Sequence, residues 1–252
     1  MAWSDRRRIV VTSFGRALAT VLLAAGIAIS GSAAGAEQRL HFTTEQYAPF
    51  NFAQGEEIAG LGADQVKEIM RRTGIPFDME LLPWSRALAL AGKRPMTCVF
   101  TTAHTVDRDK RFKWVEPLLV ERTLLIRAEG SGVEPANLST ATHYRTGTQT
   151  GDYTVELLRN AGFAKIDLAR DLDLTLKKLL NGRVDLMAVS ESFLHRLRKQ
   201  GVPVEEAAVL HEQVFSIACS PRTPDEVVAR MQGALTAMIA DGTQAEIHAR
   251  YN

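Results

Sequence analysis

The chain has 252 residues, a formal net charge of +1 and a hydrophobic fraction of 46%. So balanced a charge gives no reason to expect nucleic acid or an anionic membrane surface as a partner. The length is enough for one large core or for two lobes of about 100 residues each. Composition therefore excludes strongly charged partner classes, and the function has to be argued from motifs.

Residues 1–36 have the pattern of a secretory signal peptide. Arginines at positions 6, 7, 8 and 16 precede an apolar run at 17–29, and small residues close the segment at 34–36. The run is shorter than the roughly 20 residues that a membrane-spanning helix needs, and the small residues suit a signal peptidase. We expect cleavage after residue 36 and a periplasmic protein, with general or twin-arginine export left open.

From residue 40 onward, strand-like and helix-like segments alternate, which is typical of an α/β fold. The first part of the chain predicts strands at 40–43, 77–82 and 97–100, with helices at 63–72 and 85–91. After a long apolar run at 118–126, the pattern predicts strands at 142–146, 165–168 and 184–189 and helices at 153–160, 172–180 and 191–199. A last strand at 214–219 precedes a C-terminal helix with Thr223 as N-cap and Glu226 as capping-box partner.

Two α/β units joined by long strands favour two lobes with two crossings between them. We expect the first lobe to comprise residues 37–120 and 215–252, and the second lobe residues 121–214. Such an architecture leaves a cleft between the lobes, where hinge closure traps a small ligand.

Cys98 and Cys219 lie in apolar, strand-like runs. Export makes a disulfide between them chemically possible, but free cysteines also pack well as small buried groups. The sequence leaves the bridge open. The histidines show no metal-ligand spacing and the chain carries no phosphate or dinucleotide fingerprint, so neither a metal nor a cofactor is expected.

The segment from Thr101 to Pro117 presents the groups that a carboxylate ligand needs. A hydroxyl-rich turn follows an apolar strand, and Arg108 stands three residues after Thr105. Arginine's planar fork pairs two-on-two with a carboxylate. Because the segment also carries many mixed charges, a solvated surface loop is the alternative.

With T-x-x-R at 105–108, Trp114 and Pro117, this segment resembles the signature of family 3 extracellular solute-binding proteins. Further stretches resemble the family in its own order, namely Y-A-P-F at 47–50 with G-L-G-A-D at 60–64, N-G-R-V-D at 181–185 and D-G-T-Q-A-E-I at 241–247. The resemblance implies a two-lobed periplasmic-binding-protein fold, type II-like, with two hinge crossings and a ligand cleft. It also implies capture of a small carboxylate-bearing solute, an amino acid above all, for a polar amino acid ABC importer.

The resemblance assigns roles to matching positions in the first lobe. Arg108 would grip the ligand carboxylate, with Thr101 and the backbone at Ala103 adding donors. Tyr47 would cover the apolar part of the ligand. Arg86, in P-W-S-R-A-L at 83–88, resembles a divergent branch of the family and would be a second anion contact, unless it is simply a surface arginine at a helix start.

The second lobe offers Asp152 and Tyr153 after a glycine turn, where the resemblance places the start of a helix near the ligand. Asp152 fits first as the N-cap of that helix, with ligand contact as the other interpretation. Ser190 departs from the family, whose amino acid binders usually place there an aspartate that receives the ligand ammonium. Burying an ammonium without an anionic partner costs several kcal/mol. Either Glu191, Glu45 or Asp152 replaces that aspartate, or the ligand has no ammonium.

Other functions remain open beside amino acid capture. The first is a receptor or sensor for a non-amino organic acid, and the second is a cleft enzyme such as a cyclohexadienyl-type dehydratase. An enzyme would need a cleft carboxylic acid with a raised pKa, for which Glu45, Glu191 and Asp152 are candidates. We expect a binding protein rather than an enzyme, acting as a monomer with an ABC permease or a sensor as partner.

Overall fold

The computed structural model describes residues 39–251, so the predicted signal peptide and its cleavage site lie outside the described residues. The strands are β1 (Leu40–Thr44), β2 (Phe52–Gln54), β3 (Glu57–Ala59), β4 (Phe77–Leu81), β5 (Thr97–Ala103), β6 (Lys113–Ala128), β7 (Thr146–Gln149), β8 (Ile166–Ala169), β9 (Leu186–Ser190) and β10 (Val204–Cys219). The helices are α1 (Leu61–Thr73), α2 (Trp84–Lys93), α3 (Val106–Asp109), α4 (Leu138–Ala141), α5 (Tyr153–Asn160), α6 (Leu172–Leu180), α7 (Glu191–Lys199), α8 (Asp225–Ala240) and α9 (Thr243–Ala249). In this part of the chain, none of the helices combines the length and the apolar character needed to cross a membrane.

Eight of these strands form one mixed sheet in the order β4-β1-β5-β10-β6-β9-β7-β8, and β2 and β3 form a separate hairpin. β4, β1 and β5 run parallel to one another and make the first half of the sheet. β9, β7 and β8 also run parallel and make the second half. The confirmed α/β pattern thus consists of two parallel sets of strands, each built from alternating strands and helices.

β6 and β10, 16 residues each, join the two halves. They pair antiparallel with each other along their length. Only the last part of β10, residues 215–219, pairs with β5, whereas residues 123–126 of β6 pair with β9. β10 is therefore hydrogen-bonded to the first half and β6 to the second, and the chain crosses between the halves twice. The predicted lobe boundaries stay a prediction.

Local sequence explains the entry into and exit from α1. Val66, Ile69 and Met70 are buried along one face of the helix. Gly74 ends the helix in the left-handed conformation, and its N–H donates to Met70 O at 2.9 Å. Gly60 precedes the helix at φ 119°, where a Cβ would lie 2.3 Å from the Phe50 carbonyl oxygen. Only glycine fits there.

The apolar core continues across the junction between the halves. Phe215 of β10 lies with its ring centroid 6.0 Å from that of Phe50 on one side and 5.4 Å from that of Tyr153 on the other. All three side chains are buried in one cluster. Aromatic packing therefore holds the two halves together at this point, in addition to the shared strands.

The predicted helices at 153–160, 172–180 and 191–199 are confirmed with the same bounds. β10 begins ten residues before its predicted start, because its first part is partly exposed and carries charged residues that hide the apolar pattern. The strand predicted at 142–146 instead begins at Thr146, because residues 138–141 form α4 behind an Asn137 capping box. Thr223 is not the N-cap of α8, since Pro224 takes that position and leaves Glu226 one residue short of N3.

Cys98 and Cys219 form a disulfide, which settles the question that the sequence left open. The two cysteines face each other as register partners on β5 and β10. The bond therefore fixes the last residue of β10 to the first half of the sheet.

Candidate functional site

The predicted site residues gather where strands of both halves end. Glu45 and Tyr47 follow β1, and Arg108 follows β5 on the short helix α3. In the second half, Asp152 follows β7 and Ser190 is the last residue of β9. In open α/β sheets, ligands bind in crevices beyond the carboxyl ends of strands. The structure thus brings together residues that are far apart in sequence.

Arg108 is buried, with 5% of its surface exposed. Its Nη1 donates to Ala103 O at 3.3 Å, and its Nη2 donates to Gly151 O, in the second half, at 2.9 Å. The guanidinium carbon also lies 5.5 Å from the centroid of the Trp84 ring. Burial lowers the pKa of Arg108, and the negative charge of Asp152 partly offsets that effect. Within residues 39–251, no carboxylate forms an ion pair with this buried cation.

Arg108 lines a cavity of about 470 Å³ between the two halves. Arg111 and Ser85 line it from the first half, and Gly151 and Asp152 line it from the second half. Asp152 is confirmed as the N-cap of α5, since its Oδ1 accepts from Thr154 N at 2.8 Å. Its side chain is therefore engaged by the helix start while its charge still acts on Arg108.

The helix that carries Arg108 is held by His104 and Trp114, two residues of the motif segment. The Nε2 of His104 lies 3.0 Å from Asp109 Oδ1, and its Nδ1 lies 2.9 Å from Glu116 Oε2. The imidazole stacks on Trp114 at 3.9 Å, and Trp114 Nε1 donates to Asp109 O at 3.1 Å. These contacts within the motif segment hold α3 in place, and α3 in turn positions Arg108.

Thr101, Thr102 and Thr105 are buried polar residues of the same segment as Arg108. Thr101 has φ 55°, a rare backbone conformation for a β-branched residue, and its Oγ1 donates to Asn51 Oδ1 at 2.6 Å. This contact explains Gly62, where a Cβ would lie 2.3 Å from Thr101 Oγ1. The hydroxyls of Thr102 and Thr105 are buried without a hydrogen-bond partner among the described residues.

Trp84, whose ring lies near Arg108, lines a second cavity of about 580 Å³. Its Nε1 donates to Gly151 O at 2.9 Å, so Trp84 and Arg108 share one acceptor. Gly151 has φ 76°, which favours glycine at this turn. Trp84 therefore contacts both halves, with Arg108 of the first half near its ring and Gly151 O of the second half as its acceptor.

Glu45 and Gln149 meet in the second cavity, where Gln149 Nε2 donates to Glu45 Oε2 at 2.8 Å. Burial raises the pKa of Glu45 to about 8, although the hydrogen bond from Gln149 opposes the rise. Gln149 is 1% exposed, and its Oε1 has no hydrogen-bond partner within residues 39–251. Sequence reasoning missed Gln149, although its place between a buried strand and a glycine turn was an available signal.

Tyr47 and Ser190 contact each other across the junction. Tyr47 donates its hydroxyl to Ser190 Oγ at 2.8 Å, and Ser190 Oγ also accepts from Phe193 N at 3.3 Å as the N-cap of α7. The Tyr47 ring lies 5.1 Å from Phe50 and 5.5 Å from Phe193. Burial raises the pKa of the Tyr47 hydroxyl. The position where the family usually has an acid is thus held by a hydroxyl that accepts from Tyr47 and from the start of α7.

Other predicted residues are engaged elsewhere. Glu191 pairs with Arg122, whose Nε donates to Glu191 Oε2 at 2.9 Å, and this hydrogen bond lowers the pKa of Glu191. Arg86 is exposed on the first turn of α2. Tyr153 is buried and its hydroxyl lies 2.9 Å from Thr123 Oγ1. Groups of three or more His, Cys, Asp or Glu side chains able to hold a metal ion do not occur in residues 39–251.

An α/β sheet in two parallel halves, joined by two long strands and lined with polar residues at their junction, defines a ligand-binding protein with the periplasmic-binding-protein fold. The model of bacterial extracellular solute-binding proteins, family 3, matches residues 41–252. The chain belongs to this family.

Solved structures share the fold at low sequence identity. A histidine kinase sensor domain with similarity to periplasmic binding proteins is 17% identical, with a TM-score of 0.78 over 85% of this chain and 96% of that one. The arginine-, lysine-, histidine-binding protein ArtJ from Geobacillus stearothermophilus is 18% identical, with a TM-score of 0.74 over 85% and 95%. An ancestral arginine-binding protein bound to arginine is 18% identical, with a TM-score of 0.73 over 84% and 97%. No curated protein sequence matches the chain.

Proposed function

We propose that this solute-binding protein captures a small carboxylate-bearing solute in the periplasm, with Arg108 as the carboxylate anchor, and delivers it to an ABC importer. The observation that carries the proposal is a buried guanidinium that bonds only to carbonyl oxygens within the described chain. A guanidinium has five N–H donors, and an uncompensated buried cation costs several kcal/mol. A ligand carboxylate would supply the missing charge and accept the free donors.

The surroundings of Arg108 support an anionic ligand. The unpaired hydroxyls of Thr102 and Thr105 are donors in the same segment, and Arg111 adds a second positive charge to the cavity. Asp152 lies close enough to act on the pKa of Arg108, but its carboxylate accepts from the start of α5 instead of from the guanidinium. Asp107, Glu156 and Arg159 also line the cavity, so support for a carboxylate guest comes from the buried guanidinium and its free donors rather than from net charge.

The contacts between the halves suggest how a ligand is enclosed. Arg108 and Trp84 both donate to Gly151 O, and Tyr47 donates to Ser190. These bonds join the two halves at the junction, whereas the only covalent crossings through it run along β6 and β10 within the described chain. We infer that the halves hinge on these two strands, opening to admit the solute and closing over it.

An amino acid is the leading ligand class, in keeping with the amino acid binders among the structural neighbours. A second candidate is a receptor or sensor for an acid without an amine. It is favoured by Ser190, where a hydroxyl bonded to Tyr47 takes the place of an acid, and it fits the sensor-domain neighbour.

The experiment is a ligand screen by thermal shift on the secreted chain, with amino acids and organic acids as probes. A ligand at a hundredfold excess over its Kd adds about 2.7 kcal/mol to stability, or very roughly 5 °C in a domain of this size. We expect at least one carboxylate to shift the wild type and Arg94→Ala, an exposed arginine at the end of α2. The same carboxylate should leave Arg108→Ala unshifted. An equal shift in both variants would refute the anchor role.

A further inference from the structure

Gln149 lines the 580 Å³ cavity and carries a buried acceptor that has no hydrogen-bond partner within residues 39–251. This acceptor is Oε1, on a side chain that is 1% exposed. A buried acceptor without a donor has lost its hydrogen bonds to water without replacement, so such atoms in native proteins call for an explanation. A ligand that brings an N–H donor into the cavity would supply one.

Glu45 stands beside this acceptor and completes a polar pair. Its Oε2 accepts from Gln149 Nε2 at 2.8 Å, which leaves the rest of the carboxyl for a guest. Trp84 and Phe193 line the same cavity with aromatic surface, which suits a cationic nitrogen or the apolar stem that carries it. Carboxyl, amide oxygen and aromatic walls together form a site for a protonated nitrogen.

The position that usually carries the ammonium-binding acid in this family offers no acid in this chain. Ser190 has no charge, and its hydroxyl is used by Tyr47 and by the first turn of α7. Glu191 is held by Arg122 at 2.9 Å. Of the acids that the sequence offers for the role, Glu45 is the one that lines a cavity together with an unpaired buried acceptor.

We propose that Glu45 and Gln149 form the subsite for a protonated nitrogen of the ligand, so that the solute carries an amine-type group as well as a carboxylate. The proposal rests on the carboxylate function proposed above and specifies the other end of the same ligand. Trp84 lies between the two ends, since it lines the Glu45 cavity and has Arg108 at 5.5 Å from its ring.

Proton release on binding follows from this assignment. Burial raises the pKa of Glu45 to about 8, so its carboxyl is mostly protonated near neutral pH when the site is empty. An ammonium guest favours the carboxylate, so the carboxyl proton passes to solvent while the ammonium keeps its own protons. The charged groups that face Glu45 or line its cavity are Arg108, Asp152, Arg170, Asp171, Asp173 and Arg196.

Calorimetry with matched probes tests the subsite. The pairs are L-alanine with propanoate, L-norleucine with hexanoate, and L-glutamine with glutaramate, each acid lacking the protonated nitrogen of its partner. We expect the wild type to prefer the amine-bearing member. We also expect release of about one proton per bound amine, read from binding enthalpies in buffers of different ionisation heat.

Glu45→Gln should cut the preference for the amine-bearing member by about tenfold and abolish proton release. Gln149→Met, which removes the unpaired acceptor, should also reduce the preference. Glu56→Gln, the same change on an exposed turn, should match the wild type. If carboxylates bind through Arg108 and Glu45→Gln keeps the wild-type preference for the amine-bearing member, the subsite proposal is wrong. The proposed carboxylate function would still stand. If no probe of either kind binds, both proposals fail.

Discussion

The ends of β5 and β9 both present a polar side chain to the junction between the halves, but the two side chains are satisfied to different degrees. After β5, Arg108 is a buried cation bonded to two carbonyl oxygens. At the end of β9, Ser190 is a fully buried hydroxyl that accepts from Tyr47 and caps α7. The first side chain has unused donors and no ion-pair partner among the described residues, whereas the second accepts two hydrogen bonds.

On the proposed function, this contrast distinguishes residues that bind the ligand from residues that stabilise the fold. A buried group whose bonding is incomplete carries a cost that a ligand removes, so its loss weakens binding more than folding. A buried group whose partners are all present stabilises the fold, so its loss weakens folding more than binding. Substitutions on the two sides should therefore have opposite signatures.

The largest effect on ligand affinity is expected at Arg108. Arg108→Ala should weaken binding of the best carboxylate on the order of 100-fold, because a two-pronged charged contact contributes about 3 kcal/mol. The melting temperature of the unliganded protein should change little, since burial already penalises the cation. Titration calorimetry and thermal melts measure the two quantities. A large drop in melting temperature with unchanged affinity would mean that Arg108 stabilises the fold and does not bind the ligand.

Glu45 should also destabilise the unliganded protein, and this effect on the free energy of unfolding should depend on pH. Its pKa is about 8 in the folded protein against an ordinary value of 4.5, so the folded state holds a proton that the unfolded chain has released between these values. Stability from this group is therefore lost as pH rises through that window. Glu45→Gln should stabilise the unliganded protein by about 4 to 5 kcal/mol at pH 8.5 and by less than about 1 kcal/mol near pH 5. Denaturant titrations at both pH values check the sign.

Ser190 should behave in the opposite way. Ser190→Ala removes a helix cap and the acceptor of Tyr47, and we expect a loss of about 1 to 2 kcal/mol in stability. The ratio of affinities for amine-bearing and amine-free ligands should stay within about threefold of the wild type. Tyr47→Phe with the double variant completes a cycle, in which we expect a coupling energy of about 1 kcal/mol. A coupling near zero would mean that the hydroxyl contact does not stabilise the junction.

The smallest effect on stability is expected at Gly151, where a matched glycine elsewhere in the chain serves as a control. Gly151→Ala imposes a side chain at φ 76° and should cost about 1 kcal/mol of stability. Gly162→Ala, at φ 88° on an exposed turn, should cost a similar amount. Only Gly151→Ala should also change ligand affinity, because Gly151 O accepts from both Arg108 and Trp84. Equal affinities in the two variants would count against a role for this carbonyl in closure.

Much of the fold follows from local pattern. α5, α6 and α7 could be bounded from sequence because each has a capping Asp or Ser and a periodic apolar face. The first part of β10 could not, because its partner β6 supplies the pairing that its own charged, half-exposed sequence does not indicate. The N-cap of α8 was misplaced because the backbone of Pro224, not the hydroxyl of Thr223, opens that helix.

The candidate site likewise contains residues that the sequence could predict and pairings that it could not. Arg108 could be found from sequence because its motif lies within one short segment, and the segment's own contacts build α3. The pairing of Glu45 with Gln149 spans 104 residues, and that of Tyr47 with Ser190 spans 143. Such pairs depend on how the two halves approach each other, which no local pattern encodes. The sequence therefore indicated which acids were candidates, while the fold is needed to choose between them.

The disulfide between Cys98 and Cys219 has a topological consequence. It joins two points of the chain that are 121 residues apart, so the intervening chain, with every strand of the second half, forms a covalent ring. A single cut by a protease anywhere within that ring opens the loop but releases no fragment. Nicked molecules would run as one species on a gel without reductant and as two pieces with it, so the second half stays tethered to the first even after damage.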